Sequence, residues 1–310
     1  MSLNRINRRE FLKKAGAVAT FCSLPAFVEA GAASDSLVNV SMAEGGSPGD
    51  NVEKAVAALG GMSAFVSRGD VVVVKPNIGW DRTPEYAANT HPDVVVAVAS
   101  MCLAAGAKAV RIFDRTCNEP RRCYANSGIQ EAVERFARKN GVENVLQIYH
   151  VEDRKFVRTA IPNALVLKEW ELYRDILESD KVINVPIAKH HGLSQVTLGL
   201  KNMMGIMGGN RGQIHMRLPE CLVDVSRRAP SHLTIIDAGQ VLVRNGPTGG
   251  NLADVKKFGA VFASADMVAA DVTAAEKVFG LKGEDVPHIR KAMESGLGIA
   301  SSSQVRLLRA

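Results

Sequence analysis

The sequence predicts an α/β fold, layered, with a largely parallel sheet and helices on both faces, and three observations lead there. Residues 71–74 are four consecutive valines, the composition of a strand buried on both faces as in a parallel sheet. Strand-like apolar runs alternate with helix-length segments in βαβα order between residues 71 and 148, the pattern of layered α/β proteins. A chain of 310 residues with 46% hydrophobic content can bury a core large enough to be covered from two sides.

In order along the chain, residues 51–59 read as a helix, and Gly69-Asp70 opens the strand 71–74. The next helix starts at Pro92, a residue suited to a first helical position, and runs to Gly106. Strand 110–113 follows. Ser127 and Gln130 have the spacing of a capping box for a helix ending near Asn140, and 145–148 returns as a strand. Residues 151–178 are less regular and read as an antiparallel excursion or an insertion. Strand 181–185, helices around 195–204 and 219–228, strand 233–236, a last strand 261–263, and helices 266–279 and 286–295 complete a single domain over 31–310. No internal repeat interrupts this order.

Ahead of that domain, Asn7-Arg8-Arg9-Glu10-Phe11-Leu12-Lys13 resembles the signal read by the twin-arginine export machinery, an address rather than an anchor. Small residues then surround a cleavage position near Gly31 or Ala33. Residues 1–30 are therefore expected to be a signal peptide, the machinery and signal peptidase its partners, and the periplasm or another exported space its destination. Substrates of that pathway commonly travel folded, often with a cofactor inserted. Pro25 and Glu29 break the apolar run behind the arginines, leaving it short of the roughly 20 residues of a spanning helix, so no membrane span is expected.

Removing residues 1–30 takes away five basic and two acidic residues and leaves 33 Lys+Arg against 30 Asp+Glu. With a charge near +3 and 5% aromatic content, the chain lacks the basic stripe and stacking rings of a nucleic-acid binder. Cys102, Cys117, Cys123 and Cys221 contain no CxxC spacing, so no intrinsic iron–sulfur cluster is expected. Cys117 and Cys123 either close a short loop as a disulfide or remain free thiols.

Ligands of open parallel sheets bind beyond the carboxyl ends of the strands, and those ends are rich in chemistry here. Lys75-Pro76-Asn77 follows one strand, Asp114-Arg115 another, and Asp237 a third. Lys189-His190-His191-Gly192 follows strand 181–185 and supplies imidazoles for proton transfer or metal binding. The run from Gly199 through Lys201-Asn202, Gly208-Gly209 and Arg211 to His215 combines close backbone approach with charge, without P-loop spacing.

Lys75-Pro76-Asn77, Asn89-Thr90-His91-Pro92, residues 184–192, Thr197 through Lys201-Asn202 to Gly205, His215, Ile235-Ile236-Asp237, Gly246-Pro247-Thr248-Gly249-Gly250 and residues 263–271 together resemble the family filed as domain of unknown function 362. Members often carry or neighbour ferredoxin-like iron–sulfur modules, which associates them with redox systems. This chain has His190 where members commonly read the threonine of Lys-Thr-His, so His191 aligns with the usual histidine. More distantly, a lysine in a Gly-rich run flanked by histidines is similar to the nickel-pincer lactate racemase family.

Two functions follow as expectations. In the first, an exported enzyme acts on a small anionic substrate, with Lys75, His191, Lys201, His215 and Asp237 as catalytic residues. Asn77, Lys189, Asn202, Gly208, Gly209 and Arg211 line the ligand site, and His190, His191 and His215 are the candidate ligands of a divalent metal. In the second, the same residues hold a cofactor in a non-catalytic maturation protein that docks on a redox partner.

Overall fold

The computed structural model describes residues 37–310. The arginine pair, Cys22 and the expected cleavage positions lie outside the described residues. The first half runs β1 (Val38–Glu44), α1 (Pro48–Ala57), β2 (Val71–Pro76), α2 (Pro92–Ala104), β3 (Ala109–Ile112), α3 (Pro120–Asn126), α4 (Ile129–Asn140) and β4 (Leu146–Ile148). A hairpin follows, β5 (Phe156–Ala160) and β6 (Glu169–Tyr173), then α5 (Arg174–Leu177), β7 (Lys181–Val185), β8 (Ile187–His191), β9 (Gln195–Thr197) and the single turn α6 (Gly199–Asn202). The chain closes through α7 (Leu218–Arg228), β10 (Leu233–Leu242), β11 (Val255–Ser264), α8 (Met267–Phe279), α9 (Pro287–Glu294) and β12 (Val305–Arg309).

The main sheet has the order β12-β1-β11-β10-β7-β2-β3-β4, with β8 and β9 attached beside β10. From β10 to β4 every neighbour is parallel, so the expected largely parallel sheet forms. The pleat explains the four valines. Val72 and Val74 point into one core with α1, α2 and α4, and Val73 into a second with α7, α8 and α9. Each such side chain contributes about 1.5–3 kcal/mol when fully buried, and the alternation covers both faces.

Several local expectations need correction. The residues before α1 form β1, which pairs antiparallel with β11 and parallel with β12; hence 261–263 is neither short nor last. Residues 151–178 need no correction: they contain the antiparallel hairpin β5–β6, one of the two arrangements expected there. No capping box forms at Ser127, because Gly128 takes a left-handed conformation (φ 72°) and starts α4 separately from α3. The helix expected over 195–204 is β9, one α-turn and a 3-10 turn. Cys117 and Cys123 are free thiols: Cys117 is exposed, while Cys123 is buried in α3 with its sulfur 3.8 Å from the Gly79 carbonyl.

Candidate functional site

At the carboxyl end of β2, Lys75 is fully buried and all three of its ammonium hydrogens are used. It pairs with Asp114 at 2.8 Å and donates to Asn202 Oδ1 at 3.0 Å and to the Pro76 carbonyl at 2.7 Å. Asn202 is a hub. Its Oδ1 also accepts from Asn77, and its Nδ2 donates to the Lys75 carbonyl and to Asn184 Oδ1, which saturates the amide. Gly205 is required beside them, since an added Cβ would strike Asp114 Oδ1 and stand 2.5 Å from Lys75 Nζ.

β8 presents its residues alternately. Lys189 and His191 therefore share one face, and His190 faces away, its Nδ1 accepting from the Gly246 N–H at 3.1 Å. Lys189 donates to Asn77 Oδ1 and to the Ala88 carbonyl, with its ammonium 5.9 Å from the Trp80 ring centroid. Thr197 is the cross-strand partner of Lys189, and its buried hydroxyl has no hydrogen-bond partner among the described residues.

Lys201 stands on α6, whose first two N–H groups, of Gly199 and Leu200, donate to the buried Asp271 carboxylate of α8 at 2.6 and 2.9 Å. A four-residue helix cannot hold itself together, so this carboxylate positions Lys201. The Lys201 ammonium donates to the Met204 thioether at 2.9 Å, a weak acceptor. Among the described residues no oxygen accepts from it.

These groups line one cavity of about 530 Å³, together with Arg115, Thr116, Cys117, Arg211 and His215. Five cations face a single carboxylate, that of Asp114. Arg211 donates to the carbonyls of Arg115, Met204 and Thr116, and so ties down the wall rather than offering a free hand. Burial pushes Lys201 down to about 8 and Lys189 to about 7. Burial likewise lowers Lys75, outweighing the attraction of Asp114.

The two histidines at the cavity stack, ring centroids 6.1 Å apart and planes 22° from parallel. Their hydrogen bonds differ. His191 Nδ1 accepts from the N–H groups of Leu193 and Ser194, so its proton sits on Nε2. His215 Nδ1 is 2.9 Å from the Gly212 carbonyl, which requires the proton on Nδ1 and leaves Nε2 a lone pair. Burial, then repulsion from Lys201 and Lys189, pushes His191 down to about 3, and burial lowers His215 as well.

Lys75, His191, Lys201, His215, Asn77, Lys189, Asn202 and Arg211 thus line one cavity. Asp237 does not join them. It lies at another cavity, of about 580 Å³, beside His91 and Gly239, whose backbone N–H groups its carboxylate accepts at 2.8 and 2.9 Å. Gly208 and Gly209 are also outside. An added Cβ at Gly208 would hit Phe156 and Glu171 of the hairpin, so that glycine serves packing, and the Gly209 carbonyl accepts from Arg115.

The three histidines do not fit a metal either. His190 faces away, His191 carries a proton on the nitrogen left over, and among the described residues no group of three or more His, Cys, Asp or Glu is placed to hold a metal ion. Asp114, Thr197 and Met204 are lining residues absent from the expected set. Asp114 was visible as the acid after β3; Thr197 opened one of the family-like motifs, but its place opposite Lys189 needed the register of β8 against β9, and Met204 lay in the Gly-rich run with nothing to set it apart.

Comparison with known proteins adds a family to this geometry. The thylakoid-associated protein sll1697 of Synechocystis sp. (strain ATCC 27184 / PCC 6803 / Kazusa) is 29% identical over 244 residues, covering 76% of this chain and 71% of that protein. Among solved structures, the lactate racemase apoprotein of Thermoanaerobacterium thermosaccharolyticum matches with a TM-score of 0.44 and 12% identity, over 79% of this chain and 57% of its own. A Thermotoga maritima protein from a structural genomics consortium matches with a TM-score of 0.32 and 12% identity, over 66% of this chain and 54% of its own. The chain spans a little over half the length of those two solved chains. The family described as domain of unknown function (DUF362) matches residues 72–276, and the chain belongs to it.

Proposed function

We propose that the cavity binds a small organic anion and moves a proton on it, with His215 as base and neutral His191 as hydrogen-bond donor. The observation that carries this reading is the opposite hydrogen bonding of the two stacked imidazoles. Proton abstraction beside a carbonyl needs a base for the proton and a donor for the oxygen that gains charge. His215 Nε2 takes the first role and His191 Nε2–H the second. Lys201 and the unpartnered Thr197 hydroxyl hold the anionic group. Lys75, its hydrogens all committed, contributes its positive field rather than a contact. Once protonated, His215 is repelled by Lys201 and Arg211, which favours returning the proton.

The test is proton NMR in deuterium oxide on a panel of small carboxylates bearing a C–H next to a carbonyl or hydroxyl-bearing carbon. At least one is expected to exchange that hydrogen with solvent, and His215→Gln to slow the exchange by roughly 10²–10⁴-fold while still binding the anion. Binding without any exchange would contradict proton transfer and favour a non-catalytic holder.

We also propose that the chain works outside the cytoplasm, on the strength of Arg8-Arg9 and the residues behind them. The name of the Synechocystis relative, thylakoid-associated, is compatible with a place beside a membrane. Changing both arginines to lysine should strand the chain in the cytoplasm; undiminished export would count against the pathway.

A further inference from the structure

Three lysines line the cavity, and their surroundings divide them sharply. Lys75 is fully buried and triply hydrogen-bonded to oxygen, one of those partners being the Asp114 carboxylate. Lys189 is 1% exposed and donates to two oxygens. Lys201 reaches the cavity surface at 9% exposure, and its sole partner among the described residues is the thioether of Met204. A thioether accepts weakly, so nothing in the wall holds this amine in its charged form.

We propose that Lys201 is a covalent nucleophile that forms an imine with an aldehyde or ketone carrying an anionic group. The proposal rests on the anion-binding reading above, with Lys201 turned from the anionic group to the carbonyl carbon and the Thr197 hydroxyl and the surrounding cations left to hold the anion. A desolvated lysine with cationic neighbours is the environment that activates amines toward carbonyl carbon. Lys201 has both conditions: burial is the largest influence on it, Arg211 and Lys75 repel its proton, and together with Cys117 they leave it at about 8.

In the step itself, the neutral amine's lone pair attacks the carbonyl carbon and a C–N bond forms. The carbonyl electron pair moves to oxygen, which takes up one amine proton to give a carbinolamine. That hydroxyl then leaves as water with the second amine proton, and the nitrogen lone pair closes the C=N bond. Atoms and charge balance with no oxidant or reductant. His191 Nε2–H and His215 Nε2, on rings that line the same cavity, would serve as donor to the departing oxygen and as proton relay. The anionic group is what confines the reaction to this lysine, because the cavity walls are cationic while exposed lysines elsewhere are solvated and protonated.

The experiment treats the purified full chain with glyoxylate and sodium cyanoborohydride at mildly alkaline pH, then maps carboxymethyl-lysine by peptide mass spectrometry. In parallel, thermal unfolding is recorded with oxalate, an anion of similar size that cannot form an imine. The expected result is one carboxymethyl group per chain, on Lys201, suppressed by oxalate and lost in Lys201→Arg. Site mapping on the unmutated chain keeps the result readable if that variant fails to fold. Label spread over surface lysines with Lys201 unmodified would overturn the imine. If oxalate still raises the unfolding temperature in that case, the anion site stands and the imine alone falls; if oxalate has no effect, both fall.

Discussion

Lys75 and Asp114 form the buried ion pair on which the cavity floor rests, with side-chain exposures of 0% and 3%. Removing one partner leaves the other charge unpaired in a dry site. Asp114→Ala is therefore expected to cost about 3–5 kcal/mol, read from urea unfolding, and the double change Lys75→Met with Asp114→Leu to restore much of that loss. Equal destabilisation by the single and double variants would show that the pair is not the source. His191 makes a prediction with a sign. Its folded value of about 3 lies below its ordinary 6.5, so the unfolded chain binds more protons between the two. Its contribution is whole above pH 6.5 and is lost as pH falls from 6.5 toward 3. His288, fully buried and also pushed down to about 3, adds to the same acid loss. Stability measured in steps of pH should thus fall less steeply for His191→Asn than for the unaltered chain, and identical slopes would contradict the assignment. Lys201 and Lys189 bear on the ligand as well as on the fold. As pH rises through about 7 and then about 8 they lose charge, so anion affinity should weaken across that window.

The single turn α6 shows how much of the site depends on contacts distant in sequence. Residues 195–204 look helical in isolation. Leu198 instead adopts an extended conformation (φ −141°, ψ −152°), and Asp271, about seventy positions away, caps the turn that carries Lys201 and Asn202. Asp271→Asn would accept from one of the two N–H groups and oppose the other. A loss of about 1–3 kcal/mol is expected, together with weaker anion binding from a displaced Lys201; unchanged affinity would mean that α6 is positioned by something else. What was legible followed from period and position. The strand ends placed Lys75, Lys189 and His191 near one another, whereas the sequence grouped His190 with them, since the strand β8 that turns it away was not predicted. What was not legible needed register or tertiary capping: Thr197 opposite Lys189, Asp271 beneath α6, and the turn of β10 that gives Asp237 to His91 and Gly239.

For the whole molecule, the four valines and the alternating helices were enough to specify two cores on either side of a sheet, and the parallel strands from β10 to β4 bear that out. The antiparallel edge was hidden because β1 precedes the first element that the sequence predicts and β12 follows the closing helices. Their pairing depends on β1 fitting between β11 and β12, strands more than two hundred residues away, rather than on local pattern. The parallel arrangement then brings Lys75, Lys189 and His191 to one edge, and the 3-10 turns after α6 carry Arg211 and His215 back over it. The central claim is that this edge is an anion site served by Lys201. Isothermal titration calorimetry of the full chain against a panel of small carboxylates and phosphates tests it most directly. The account predicts that at least one anion binds and that Lys201→Met abolishes the heat without lowering the unliganded unfolding temperature; no binding across the panel, or binding that survives in Lys201→Met, would contradict it.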